Sequence, residues 1–159
     1  MGAKYETDVV AWSNEQAQLI RDKKFALLDL EHIAEEIEDV GKSEKRELAS
    51  RMAVLLSHLL KWQFQPERQC RSWSQTINDQ RIELDYHLDE NPSLKNSLED
   101  ERWLKMVWAK ATSQARQETN LDCFPVSCPW KMADILTNGW LPGQLSEKKR
   151  LDLALSKIR

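Results

Sequence analysis

The chain's three histidines, three cysteines and many carboxylates are the side chains that could do chemistry. Asp29-x-x-His32 and His32-x-x-x-Glu36 set ligand-type residues on one helical face. Carboxylate-rich helices can hold a di-iron centre, but such a site takes Glu-x-x-His from two helices and a further Glu from each of two others. No Glu-x-x-His occurs, because His58 and His87 follow Leu55 and Leu84 at that spacing. Asp29 has a simpler use as a helix N-cap, which puts His32 at the third helical position. Cys123-x4-Cys128 has a metal-compatible spacing but lacks the second pair of ligands that zinc normally takes. Three cysteines make no disulfide framework, so reduced, buried thiols in a cytoplasmic protein are expected. A nucleophile pairing His58 with Cys70 or Cys128 needs a third, orienting group, and nothing in the sequence singles one out. The expectation is no catalytic residue, no metal and no cofactor.

A second constellation suits binding. Residues 61–73, from Lys61-Trp62 through Pro66 to Arg71-Ser72-Trp73, mix cations with aromatics across a predicted helix–turn–helix junction. Upstream, Glu44, Glu47, Arg51, Val54, His58, Lys61 and Gln65 recur at three- and four-residue steps and share one helix edge. Arg68 or Arg71 over Trp62 or Trp73 would make a cation–π contact of roughly 0.5–2 kcal/mol. The same residues can lock the junction, pair with a partner's carboxylates, or hold nucleic acid through phosphate contacts and base stacking. The candidate surface is His58, Lys61, Gln65, Arg68, Arg71 and Trp73. On it Arg71 and Lys61 would meet carboxylates or phosphates, and Trp73 would supply apolar contact. Seven tryptophans are many for this length, and an exposed Trp103 or Trp140 would mark a partner surface.

The scaffold for these groups follows from composition. At 159 residues, with 41% hydrophobic and 31% charged side chains, the chain is long enough for one domain and too apolar for disorder. A mean hydropathy of -0.64 and the lack of any apolar run near twenty residues exclude a membrane-spanning helix. The N-terminus shows no secretory pattern. Only 4 Gly and 5 Pro leave little for a turn-rich β fold or a phosphate-cradling loop. Charge alternates along the chain: residues 1–40 hold four basic and ten acidic side chains, residues 41–82 eight and four. Residues 83–142 hold six and ten, and residues 143–159 five and two. Acidic and basic helices packing side by side account for this, and the modest basic excess of residues 41–82 is a weak nucleic-acid footprint.

The periodicity is helical throughout. Thr7 or Asp8 caps a first helix ending near Lys23, with Val9, Trp12, Gln16, Leu19 and Ile20 along one side. Asp29 caps a second, with Leu30, Ile33, Ala34 and Ile37 on its apolar face, and Gly41 is read as its stop. A third runs from Lys42 or Ser43 to about Phe64 and ends before Pro66. Its wide apolar face, with Leu48, Met52, Leu55 and Leu59 in one row, makes it the central helix. Ser72-Trp73-Ser74-Gln75 fits a capping box for a fourth helix to about Glu90. Asn91-Pro92 opens a fifth that carries Leu104, Val107, Trp108, Ala111 and Ala115 at helical spacing and fades near Asn120, Pro129 opens a short sixth closed by Gly139, and a basic, amphipathic tail helix follows Gly143. The fold class is all-α: a single-domain helical bundle of about five or six helices over residues 5–142, with a C-terminal extension over 143–159. A hairpin at Gly41 would set Glu38 level with Glu44 or Lys45, Glu35 with Glu47 or Arg46, and Glu31 with Arg51, as a salt-bridge ladder.

Several segments in this order carry a resemblance. They are Tyr5-Glu6-Thr7-Asp8 with Trp12, Asp29-Leu30-Glu31-His32-Ile33-Ala34-Glu35-Glu36-Ile37-Glu38, and Gly41-Lys42-Ser43-Glu44-Lys45-Arg46-Glu47-Leu48. Leu59-Leu60-Lys61-Trp62, Gln65-Pro66, Arg71-Ser72-Trp73, Pro92-Ser93-Leu94, Phe124-Pro125 and Cys128-Pro129-Trp130 complete the set. Together they resemble the bacterial, largely cyanobacterial family catalogued as domain of unknown function 29, over about residues 5 to 142. The resemblance implies an all-helical domain in a cytoplasmic bacterial protein, and it brings no assigned activity or catalytic residue. The basic tail and the tryptophan-rich fifth helix depart from the family pattern.

The function expected from the sequence is a helical protein-interaction module without catalysis, contacting a protein partner through the candidate surface. The alternative is a nucleic-acid-associated protein using the same basic and aromatic corner. A metal-dependent or hydrolytic enzyme on His32, Glu36 and neighbouring carboxylates stands third. No membrane partner is expected, and self-association into a homo-oligomer stays open.

Overall fold

The computed structural model describes residues 2–143, 155, 156 and 158. Among them are five α-helices, three 3-10 turns and no strand, which makes the fold all-α. The helices are α1 (Val9–Arg21), α2 (Leu30–Phe64), α3 (Arg71–Glu90), α4 (Glu101–Thr119) and α5 (Met132–Ile135). The 3-10 turns are Phe25–Leu27, Pro66–Arg68 and Pro92–Glu99. Of the tail helix predicted after Gly143, Leu155 and Ser156 are helical, and the rest apart from Ile158 lies outside the described residues. The chain divides into two compact units, residues 1–45 and 46–159.

The predicted second and third helices are one helix, α2, of 35 residues. A glycine ends a helix when it takes a left-handed φ, and Gly41 is not among the positive-φ residues, which are Lys23, Asn120, Gly139 and Gly143. In a right-handed turn it costs only about 0.5–1 kcal/mol, which neighbouring Glu, Lys, Arg and Leu residues offset through their helix propensity. The hairpin and its salt-bridge ladder are therefore absent. The carboxylates pair locally instead: Lys42 lies 3.8 Å from Glu38 and 3.7 Å from Asp39, and Arg51 lies 2.9 Å from Glu47.

In the N-terminal unit, the Asp8 carboxylate caps α1 by accepting from the Ala11 N–H at 2.9 Å. The helix ends at Arg21 through a Schellman arrangement. Lys23 sits at φ 58°, its N–H bonding the Ile20 carbonyl, and the Lys24 N–H reaches back to Leu19. The stop falls within two residues of the end near Lys23 expected from the sequence, although a lysine rather than a glycine takes the left-handed position. Trp12 and Gln16 are the buried residues of α1, whereas Val9 and Ile20, expected on the same buried side, are exposed.

The C-terminal unit is organised around the last seventeen or so residues of α2. Leu48, Met52, Leu55, Leu59 and Leu60 are completely buried, as a central helix requires. Around them pack Ile77, Leu84 and Leu88 of α3, Val107, Trp108, Ala111 and Ala115 of α4, and Ile135 of α5. Several boundaries differ from expectation. Cys70, not Ser72, is the N-cap of α3 and offers no side-chain bond, while the Ser74 hydroxyl turns back to the Arg71 carbonyl. Asn91-Pro92 opens a 3-10 turn, and α4 begins only after Asp100, whose carboxylate accepts from the Arg102 N–H at 2.9 Å. Residues 129–131 are not helical, with a bend at Trp130, and α5 starts at Met132. The buried Arg81 of α3 fastens this last segment: its Nε donates to the Ile135 carbonyl at 2.8 Å and its Nη2 to the Trp140 carbonyl at 2.7 Å. Trp103 and Trp140 are both half-buried against the core, so neither marks a bare surface.

Candidate functional site

The six residues singled out in the sequence separate into two sets. His58, Lys61 and Gln65 lie on α2, where three- and four-residue steps put them on one edge. The Lys61 side chain is only 8% exposed. Its ammonium donates to the Glu118 carboxylate of α4 and stands 5.3 Å over the Trp73 ring. His58 is half-buried: its Nδ1–H donates to the Val54 carbonyl at 2.9 Å, leaving Nε2 to face the Lys61 Nζ at 3.5 Å. Burial pushes the His58 pKa below the ordinary histidine value, and the Lys61 charge adds to that, so the ring is a neutral acceptor. Gln65 is buried. Trp73 is half-buried under the Lys61 charge. The cation over an aromatic ring in this corner is thus Lys61, not Arg68 or Arg71.

Arg68 and Arg71 form the second set. Both are exposed, and neither makes an ion pair among the described residues. Arg68 closes the 3-10 turn after Pro66, and Arg71 is the first residue of α3. The turn between them is stitched down by Gln69, whose Nε2 donates to the Trp62 carbonyl at 2.9 Å. The first N–H groups of α3 have no side-chain cap, so the positive end of the helix dipole faces outward beside Arg71.

The carboxylate and histidine cluster of the N-terminal unit is better built than the sequence indicated. Asp29 caps α2, and its Oδ2 accepts from His32 Nδ1 at 2.7 Å and from the Trp12 indole N–H at 3.0 Å. The Asp29 N–H donates to Gln16 Oε1 at 2.8 Å, which explains why Gln16 is buried. Glu6 approaches the other ring nitrogen of His32 at 3.4 Å. The Tyr5 ring stacks on His32 with centroids 4.2 Å apart, and its hydroxyl donates to Glu36 at 2.6 Å. The Asp29 hydrogen bond raises the His32 pKa and lowers that of Asp29, while the bond to Glu36 pushes Tyr5 up to about 12. With a carboxylate at each nitrogen, the charged form of His32 is favoured and both ring nitrogens are engaged. Tyr5, Glu6 and Trp12 were missed as partners of His32 because they come from a segment more than fifteen residues away.

The thiols also differ from expectation. Cys70 and Cys123 are exposed and Cys128 is half-buried, and all three are unbridged. Burial raises the Cys128 pKa, and its Sγ faces the Trp130 carbonyl at 3.5 Å. His58 is occupied by Val54 and Lys61, so it does not serve a cysteine. A half-open cleft of about 780 Å³ that the sequence did not foretell lies between α2, α4 and the segment before α5. Leu56, Leu104, Trp108, Trp130 and Met132 line it, and the Trp108 N–H bond to the Pro125 carbonyl at 2.9 Å holds its lip.

No helix of the described residues is long and apolar enough to cross a membrane. No curated protein and no solved structure matches the chain. Its order of motifs, from Tyr5 to Leu141, does match a known family model over residues 4–141, and the chain belongs to that family, Domain of unknown function DUF29.

Proposed function

We propose that this protein is a binding module for an acidic protein partner, engaged through Arg68 and Arg71 at the turn between α2 and α3. The observation that carries this reading is the pair of exposed guanidinium groups that no described carboxylate neutralises, held on a turn whose neighbours are fixed. Guanidinium forks match carboxylates in geometry, and a turn that is already ordered loses little entropy on binding. The uncapped start of α3 adds partial positive charge at the same place. His58, Lys61 and Gln65 serve this surface from beneath: the Lys61–Glu118 pair and the Trp73 ring keep the corner rigid, so of the six candidates the two arginines make the contact and Trp73 borders it. Three unbridged thiols, two of them exposed, support a reducing, cytoplasmic setting.

The test is a charge reversal at both arginines, R68E with R71E, which leaves the buried groups alone and should preserve the helical circular dichroism. Wild-type protein is expected to bind a fluorescein-labelled, glutamate-rich peptide at low salt, and the double variant to bind it at least tenfold more weakly. A labelled single-stranded oligonucleotide is the comparison probe. If the oligonucleotide binds more tightly than the peptide, with affinity falling steeply in salt, the nucleic-acid reading replaces this one.

A further inference from the structure

The N-terminal unit carries more exposed apolar surface than its own core can explain. Among its described residues, Trp12 and Gln16 are the buried ones. In the first half of α2, by contrast, Leu30 is 67%, Ile37 68% and Val40 66% exposed. At 100° per residue, Leu30, Ala34, Ile37 and Gly41 fall within a narrow sector of the helix, and Ala34 is exposed as well. Nothing lies within 4 Å of the place a Gly41 Cβ would take, so a second backbone can approach closely there. Phe25 and Leu27, in the turn leading into α2, are also exposed. This is the i, i+4, i+7 pattern of anchor positions by which helices recognise helices.

Charge decides what kind of helix fits. Glu31, Glu35 and Glu38 run along one flank of the stripe, and Glu31 and Glu35 have no ion-pair partner among the described residues. Residues 1–40 carry ten acidic against four basic side chains. A second copy of the same face would bring like charges together, whereas lysines or arginines beside an apolar row would complement it. We infer that the first half of α2 is a docking face for a basic amphipathic helix of a partner protein. This face is separate from the Arg68 and Arg71 turn and opposite to it in charge.

The experiment uses the full chain and two labelled 18-residue peptides of identical leucine and lysine content. One has leucines at i, i+3, i+4 and i+7; in the other they are scrambled so that no apolar face forms. The amphipathic peptide is expected to bind at least tenfold more tightly. L30Q with I37Q, both at exposed positions, should erase that difference, and E31Q with E35Q should weaken binding and flatten its salt dependence. Equal binding of the two peptides, no binding of either, or an undiminished difference in the L30Q/I37Q variant would each overturn the proposal. So would a concentration-dependent dimer in light scattering that L30Q/I37Q abolishes, because the face would then belong to a second copy.

Discussion

The two units of this chain are held together by different physics. The C-terminal unit has a conventional core: a helix buried on a wide face by leucines, with α3, α4 and α5 around it. The N-terminal unit buries one tryptophan and one glutamine and relies on a linked polar cluster, in which Asp29 satisfies Trp12, His32 and the start of α2 at once. Apolar burial is non-directional and tolerates exchange among similar side chains, whereas a hydrogen-bonded cluster depends on each member. The lesson is that 45 residues can hold two helical segments together without a leucine core, at the price of exposing apolar groups elsewhere.

The comparison can be broken most directly by truncating one buried side chain in each unit. Trp12→Ala removes a buried indole and a donor to Asp29, a loss of roughly 3–5 kcal/mol. Hydrogen exchange should show residues 9–21 losing protection while residues 48–60 keep theirs. Leu55→Ala, a loss of roughly 2–5 kcal/mol, should give the reverse result. If either variant deprotects both stretches equally, the two units share one stabilising network and the contrast fails. Glu118→Gln comes next. It leaves the buried Lys61 ammonium without a countercharge, facing a neutral amide oxygen, His58 and the Trp73 ring, and should lower the stability of the C-terminal unit by about 1–3 kcal/mol in a urea titration.

Smaller effects sharpen the contrast through pH. His32 is raised above the ordinary value of about 6.5, so its contribution to the N-terminal unit is complete below that value and is lost as pH rises through the folded pKa. His58 is lowered, so its contribution to the C-terminal unit is complete above about 6.5 and is lost as pH falls through its folded pKa. Imidazole proton titrations by nuclear magnetic resonance should put the two midpoints on opposite sides of 6.5, and midpoints on the same side would contradict the geometry. The smallest change expected is a gain: Lys23→Gly relieves the left-handed strain that ends α1 and should add about 0.5–1 kcal/mol, read as a higher midpoint in thermal unfolding.

Legibility in the sequence followed the same divide. The leucine rows of α2 and the stripe Val107, Trp108, Ala111 and Ala115 were readable because burial repeats with the helical period. The Asp29 cap and the place of His32 in the first turn of α2 were readable because capping is local. Gly41 misled because a glycine's identity permits a left-handed φ without requiring it. The partners of the candidate residues that lie far along the chain were not legible. Lys61 meets Glu118 across 57 positions and Trp12 meets Asp29 across 17, and periodicity carries no information at that range.

Arg81 has a consequence for how the chain is made. Its guanidinium is buried, and burial lowers its pKa, yet its two carbonyl acceptors lie 54 and 59 residues later. During synthesis α3 emerges long before those acceptors exist, so the arginine must stay hydrated and its helix loosely docked. Only when residue 140 has left the ribosome can the charge be enclosed with its hydrogen bonds made, because enclosing it earlier would leave buried donors unpaired. A nascent chain cut short before Ile135 lacks both carbonyl acceptors of the Arg81 guanidinium, so α3 cannot be enclosed in it as it is in the finished chain.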